Sequence, residues 1–251
     1  MRAASWFWMR RSSKFAFVAS VLLLNLPSIA RADPPQIYAG LQGLAVVGVH
    51  KDVAGSQHGA GAGALLQLGV FGARFGVKAE GIPPVSIPQA PSRAYGQATP
   101  QLSVFNGAAR FAVAPDARIW LGFGATVINE KTPLPAMHQT VASRLAGARY
   151  EAAYRHEFLK DRFVEMQFGG APRLSGSDIY TYSDGSPNVV KPEVASEEDG
   201  SLALGVRKRN TEWLVGFRTI NFSAKYSVTG QAADRNNGGG VMLEWRCLVR
   251  P

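Results

Sequence analysis

Charged residues recur at every second position along several apolar stretches of this sequence. Arg74 shares a parity with Lys78 and Glu80, and Arg149 with Glu151 and Arg155. Arg110, Arg118, Glu165, Arg207, Arg218, Glu244 and Arg246 likewise stand on the polar side of alternating segments. Side chains with a period of two alternate between the faces of a strand, so these groups gather on one surface. If that surface lines a narrow lumen, two outcomes follow. Opposite charges can pair and fill the space, which is expected because an unpaired buried charge is costly. Alternatively, the arginine excess forms a cation-lined passage that prefers anions.

Other reactive side chains form no recognisable constellation. The histidines are His50, His58, His138 and His156, with no H-x-x-x-H or C-x-x-C spacing to hold a metal. No metal or cofactor is expected. Ser175, Ser177, Asp178, His58 and His138 fall in segments expected to be loops, where a hydrolytic triad would have to assemble at a rim. None sits in a motif, so no catalytic residue is assigned. Gly59, Gly61 and Gly63 follow no strand and open no helix, so a phosphate loop is not supported. Cys247 is the single cysteine, which excludes an intrachain disulfide.

The elements that position these groups read as strands throughout. Residues 101–128 form a hairpin about a tight turn at Ala114, Pro115, Asp116 and Ala117. Phe105, Phe111, Ile119, Leu121 and Phe123 lie on its apolar side, and Arg110 and Arg118 on the other. The same alternation, followed along the chain, gives about ten strands, at 37–49, 61–71, 74–82, 101–113, 118–128, 143–158, 162–171, 200–209, 212–226 and 239–249. Counts of eight or twelve are the alternatives. In the ninth strand Trp213, Val215 and Phe217 share one parity and Ile220 and Phe222 the other, which predicts a bulge near Thr219. Connections alternate between tight turns and long loops at 50–60, 83–100, 129–142, 172–199 and 227–238. Strict alternation puts all the tight turns at one end of an antiparallel barrel.

Residues 1–32 read as a cleaved secretory signal peptide. Arg2, Arg10, Arg11 and Lys14 precede an apolar run, and Ala30-Arg31-Ala32 supplies the small-residue cleavage site. Residues 33–251 then form a single domain. Of 27 basic and 18 acidic residues, five basic and no acidic ones fall in the signal. The remaining 22 against 18 is a modest excess, and with no nucleic-acid motif present it argues against a nucleic-acid partner. No later run of 18 apolar residues offers a membrane helix. An exported chain with one apolar face and one ionised face fits a barrel that is polar inside and lipid-facing outside.

This pattern over residues 36–249 resembles the bacterial outer-membrane β-barrel superfamily of small porin-like and OmpA-like barrels. In the last strand Asn237, Gly238, Gly240, Leu243 and Trp245 look like the C-terminal assembly signal of that superfamily. The resemblance implies an all-β, antiparallel up-and-down transmembrane barrel in a Gram-negative type outer membrane. Its partners would be outer-membrane lipid and the barrel-assembly machinery, with outer loops available to a surface ligand. The implied role is structural or surface-interacting, with a charge-filled lumen. A narrow anion-preferring porin and an outer-rim hydrolase acting on lipid A or protein are the two alternatives.

Overall fold

The computed structural model describes residues 36–52, 55–91, 96–113, 118–226 and 234–249. The expected signal segment and the expected turn at 114–117 lie outside the described residues. Ten long strands close a barrel: β1 (Gln36–Asp52), β2 (Gly55–Phe71), β3 (Phe75–Ser86), β4 (Gln101–Ala112), β5 (Ile119–Leu134), β6 (Gln139–Leu159), β7 (Arg162–Thr181), β9 (Val194–Lys208), β10 (Thr211–Lys225) and β11 (Asp234–Val249). A short strand, β8 (Pro187–Val190), pairs with the outer end of β7. Every barrel strand is antiparallel to its neighbours, and β1 pairs with both β2 and β11, so the first and last strands are joined edge to edge.

The face assignment follows directly from exposure. Leu68, Leu204, Phe168, Phe217 and Leu243 point outward with more than half of their surface uncovered. Gln42, Thr126, Arg149, Glu197, Glu212 and Glu244 point inward and are almost fully buried. A water-soluble sheet buries its apolar face, and a continuous apolar belt of this extent in water would drive association. The belt is therefore the lipid-facing surface, and the core is the ionised lumen.

Three sequence expectations change in the structure. The strands run far beyond the segments read as strand: β6 has 21 residues and β7 has 20. A tilted strand crosses a bilayer with about 9–11 residues, so these hairpins stand well clear of the lipid. The segment 50–60 is not a long loop, because β1 and β2 remain paired as far as Asp52 and Gly55. Most of 129–142 is likewise strand, closed by a 3-10 turn at Pro135–Met137, with His138 at φ 52°. Polar and small residues hid these extensions, since above the membrane the outer face is wetted and the apolar alternation fades.

The expected bulge near Thr219 is also absent. β10 keeps an unbroken register with β9 and with β11 through this position. Ile220 and Phe222 face inward because the lumen itself changes from charged to apolar at that height, where they pack on a layer including Leu44, Leu65, Ile82, Val104, Leu145 and Met242. Leu145 shares an inward parity with the charged residues of β6 for the same reason.

Candidate functional site

The lumen is the candidate site. Its glycines create the room for it. A Cβ on Gly69 would lie 2.2 Å from the Tyr38 ring, and one on Gly205 would lie 2.2 Å from the Phe163 ring. The missing side chains thus admit aromatic rings at the short-turn end of the barrel.

From that end a connected set of ion pairs climbs the lumen. Arg207 donates to Glu212 at 2.9 Å and reaches Glu157 at 3.1 Å. Arg155 grips the same Glu212 with two bonds, at 2.7 and 3.1 Å, while its guanidinium lies 3.5 Å from the centre of the Phe163 ring. Arg246 donates from both terminal nitrogens to Glu165, at 2.7 and 2.8 Å, and from Nε to Glu244. Gln42 links Glu244 to Arg218, which in turn donates at 2.7 Å to both Glu80 and Asp199. Arg149 donates to Glu197 and to Asp199, at 2.8 and 2.5 Å. Arg110 pairs with Glu151. Lys78 is 2.8 Å from Glu80 and donates to Gln167.

The contacts span the lumen rather than single hairpins. Arg218 on β10 meets Glu80 on β3, and Arg149 on β6 meets Glu197 on β9. Bidentate geometry on several of these pairs is the strong form of the interaction. Eleven of the thirteen charges singled out from sequence lie in or beside this set: Lys78, Glu80, Arg110, Arg149, Glu151, Arg155, Glu165, Arg207, Arg218, Glu244 and Arg246. Arg74 and Arg118 are exposed at the short-turn mouth instead. Both lie just outside the strands, where alternation no longer aims a side chain into the lumen.

Sequence reasoning missed Glu197, Asp199 and Glu212. The first two were placed in a loop that proves to be strand. Glu212 sits at the start of a strand, next to the turn, where its parity carried little weight. Gln42 and Gln167, the uncharged connectors, carry no charge to flag them.

Above the charges lies the apolar layer of Leu44, Leu65, Ile82, Val104, Ile128, Leu145, Leu174 and Met242. The interior thus carries two successive layers, paired charges and then packed apolar side chains.

The loop residues considered for catalysis do not converge. Ser175 is exposed on the outer side of β7, whereas Asp178 is buried and accepts a hydrogen bond from Tyr226. His138 is exposed at the β5–β6 tip. Among the described residues no group of three or more potential ligands could hold a metal ion.

Comparison with known proteins agrees with this architecture. No family model and no curated protein matches the chain. Among solved structures, the outer membrane protease OmpT from Escherichia coli aligns with a TM-score of 0.57 at 12% identity, covering 88% of this chain and 99% of that one. A FadL homologue of Pseudomonas aeruginosa aligns at a TM-score of 0.34 with 8% identity over 87% of this chain and 90% of that one. The Pseudomonas putida toluene transporter TodX gives 0.30 with 8% identity over 92% and 94%. The last two similarities are too distant to bear on the architecture, and the first is one of fold. The chain thus has the outer-membrane β-barrel fold.

Proposed function

We propose that this protein is a non-conducting outer-membrane barrel whose plugged lumen rigidly supports long hairpins at the cell surface. The observation that carries this reading is the filling of the lumen by ion pairs and, above them, by packed apolar side chains. A pore needs a continuous wet path, whereas here the arginines are engaged by carboxylates and an apolar layer lies across the same interior. A cation lining with its charges neutralised in this way does not select anions. The extended outer ends of β5 to β9 then offer the surface on which a ligand or partner would be met.

Planar-bilayer recording of the refolded protein tests the reading. The expected result is no unitary current at any voltage the bilayer tolerates. Regular single-channel steps with anion preference would establish the porin reading instead. The hydrolase reading has one point in its favour, the fold shared with a protein named as a protease. It predicts cleavage of a peptide or lipid A that disappears in His138→Ala or Ser175→Ala. The exposed, separated positions of those two residues speak for no activity.

A further inference from the structure

The barrel wall has a window. β2 pairs with β1 along its whole length, but with β3 only from Phe71 to Leu66, where Leu66 meets Gly81. Beyond Ile82 the register of β3 shifts, and Pro83 and Pro84 stand at the shift. Proline has no N–H to give to a ladder, so two in succession end the pairing with β2. The chain then bows into the lumen as a strap and rejoins β2 higher up, through the Gly59–Gln89 bridge and a bond from the Ala90 N–H to the His58 carbonyl. Between these two contacts, residues 60–65 of β2 have no strand partner on this side among the described residues.

The inner face of β2 is built to receive the strap. A Cβ on Gly63 would sit 2.5 Å from a Val85 methyl, and one on Gly61 would sit 2.8 Å from the Ser86 carbonyl. A lipid-exposed break in a ladder is not tolerated in a bilayer unless the backbone there is covered by protein or lines a cavity. The window lies at the level of the lipid-facing belt, since Leu66, Val47 and Phe105, all close to it in register, are each more than half exposed.

Directly behind the strap lies a cavity of about 110 Å³. Its walls are mainly apolar and include Leu44, Ile82, Ile87, Leu102, Ile220 and Phe222, with Arg218 and Glu130 as the charged members. For comparison, an apolar cavity of roughly 150 Å³ takes up benzene. The space fits the last few carbons of a hydrocarbon chain and excludes a whole lipid.

We propose that the cavity binds the terminal segment of one acyl chain of an outer-leaflet membrane lipid, admitted through the β2–β3 window when the strap lifts from the glycines of β2. The headgroup stays at the bilayer surface, so the site needs no anion-binding group. This goes beyond the plugged-barrel reading and survives its failure. It requires only that the barrel is inserted in a bilayer.

The test is photocrosslinking in proteoliposomes of phosphatidylethanolamine with a diazirine at the end of one acyl chain, followed by peptide mass spectrometry. Adducts are expected on Ile87, Leu102, Ile220 or Phe222 as well as on the outer belt. The Gly63→Cys/Val85→Cys pair in a Cys247→Ser background then staples the strap. The Gly63 Cβ position lies 3.4 Å from the Val85 Cβ, close to disulfide spacing. Oxidation should lower the lumen adducts at least tenfold relative to belt adducts, and reduction should restore them. Heat-modifiable gel migration reports insertion separately. Adducts confined to the belt in the wild type would overturn the proposal, as would lumen adducts indifferent to the oxidised staple.

Discussion

Arg246 and Glu165 face each other across the lumen, one on β11 and one on β7, joined by two parallel bonds of 2.7 and 2.8 Å. Neither is near the other in sequence. Each is held by further partners, Arg246 by Glu244 and Glu165 by Gln167. Removing one member leaves a buried charge short of its partner, which typically costs about 3–5 kcal/mol. Arg246→Ala should therefore lower the unfolding free energy by about 3 kcal/mol or more in urea titrations of the folded barrel. The Arg246→Met/Glu165→Met pair should recover only part of that loss, because Glu165 is no longer stranded while buried Glu244 still loses its cation.

In the plugged-barrel reading the charged layer and the apolar layer act in series. Glu80→Ala/Arg218→Ala removes a cross-lumen pair from the charged layer and leaves the apolar layer of Leu44, Leu65, Ile82 and Met242 in place. This variant should stay electrically silent in planar bilayers. Adding Leu65→Gly should produce small unitary currents, and its failure to do so would place the barrier elsewhere.

Orientation of the faces is tested by a charge on the outer belt. Leu121 is partly exposed on the lipid side of β5. Leu121→Arg should cost roughly 2–4 kcal/mol if it lies near the bilayer midplane. Arg110→Lys keeps a cation opposite Glu151 and should change stability far less. Folding equilibria measured in lipid vesicles compare the two, and the reverse order would invert the barrel.

Glycine positions divide by what surrounds them. Gly205→Ala would drive a methyl into the Phe163 ring, whereas at Gly107 a Cβ meets nothing within 4 Å. Overpacking costs about 1–3 kcal/mol. Chemical denaturation should show Gly205→Ala destabilised on that scale and Gly107→Ala close to wild type.

At the tip of the β7–β8 hairpin, the hydroxyl and backbone N–H of Ser186 donate to Asp184, at 2.6 and 2.8 Å, and hold its carboxyl below the ordinary aspartate range. A depressed folded value means the turn is favoured above the unfolded pKa and loses this support as pH falls through the folded one. In an NMR titration Asp184 should protonate at lower pH than a model aspartate. Ser186→Ala should move it back toward the usual value.

Period-two alternation settled much of this protein before any coordinate. Residues such as Phe105, Leu121, Leu204 and Leu243 announced one face, and Arg149, Glu151 and Arg246 the other, because a strand can only send successive side chains to opposite sides. The even, short-turn-at-one-end arrangement and the ten barrel strands follow from where those alternations stop. Which cation meets which carboxylate was not legible there. Arg218 reaches Glu80 and Asp199 only because closure of β1 on β11, together with the register of every ladder between, brings β3, β9 and β10 to a common interior. Alternation also carries no depth scale. The switch of the lumen from charge to hydrocarbon at Ile220 and Phe222 therefore looked like a bulge, and the outer extensions of β1, β2 and β5 to β7 looked like loops. In the sequence Pro83 and Pro84 merely open the expected loop 83–100. That they open the wall beside a glycine-lined strap depends on how far β2 continues without them, and that length was decided by the tertiary pairing of β2 with β1.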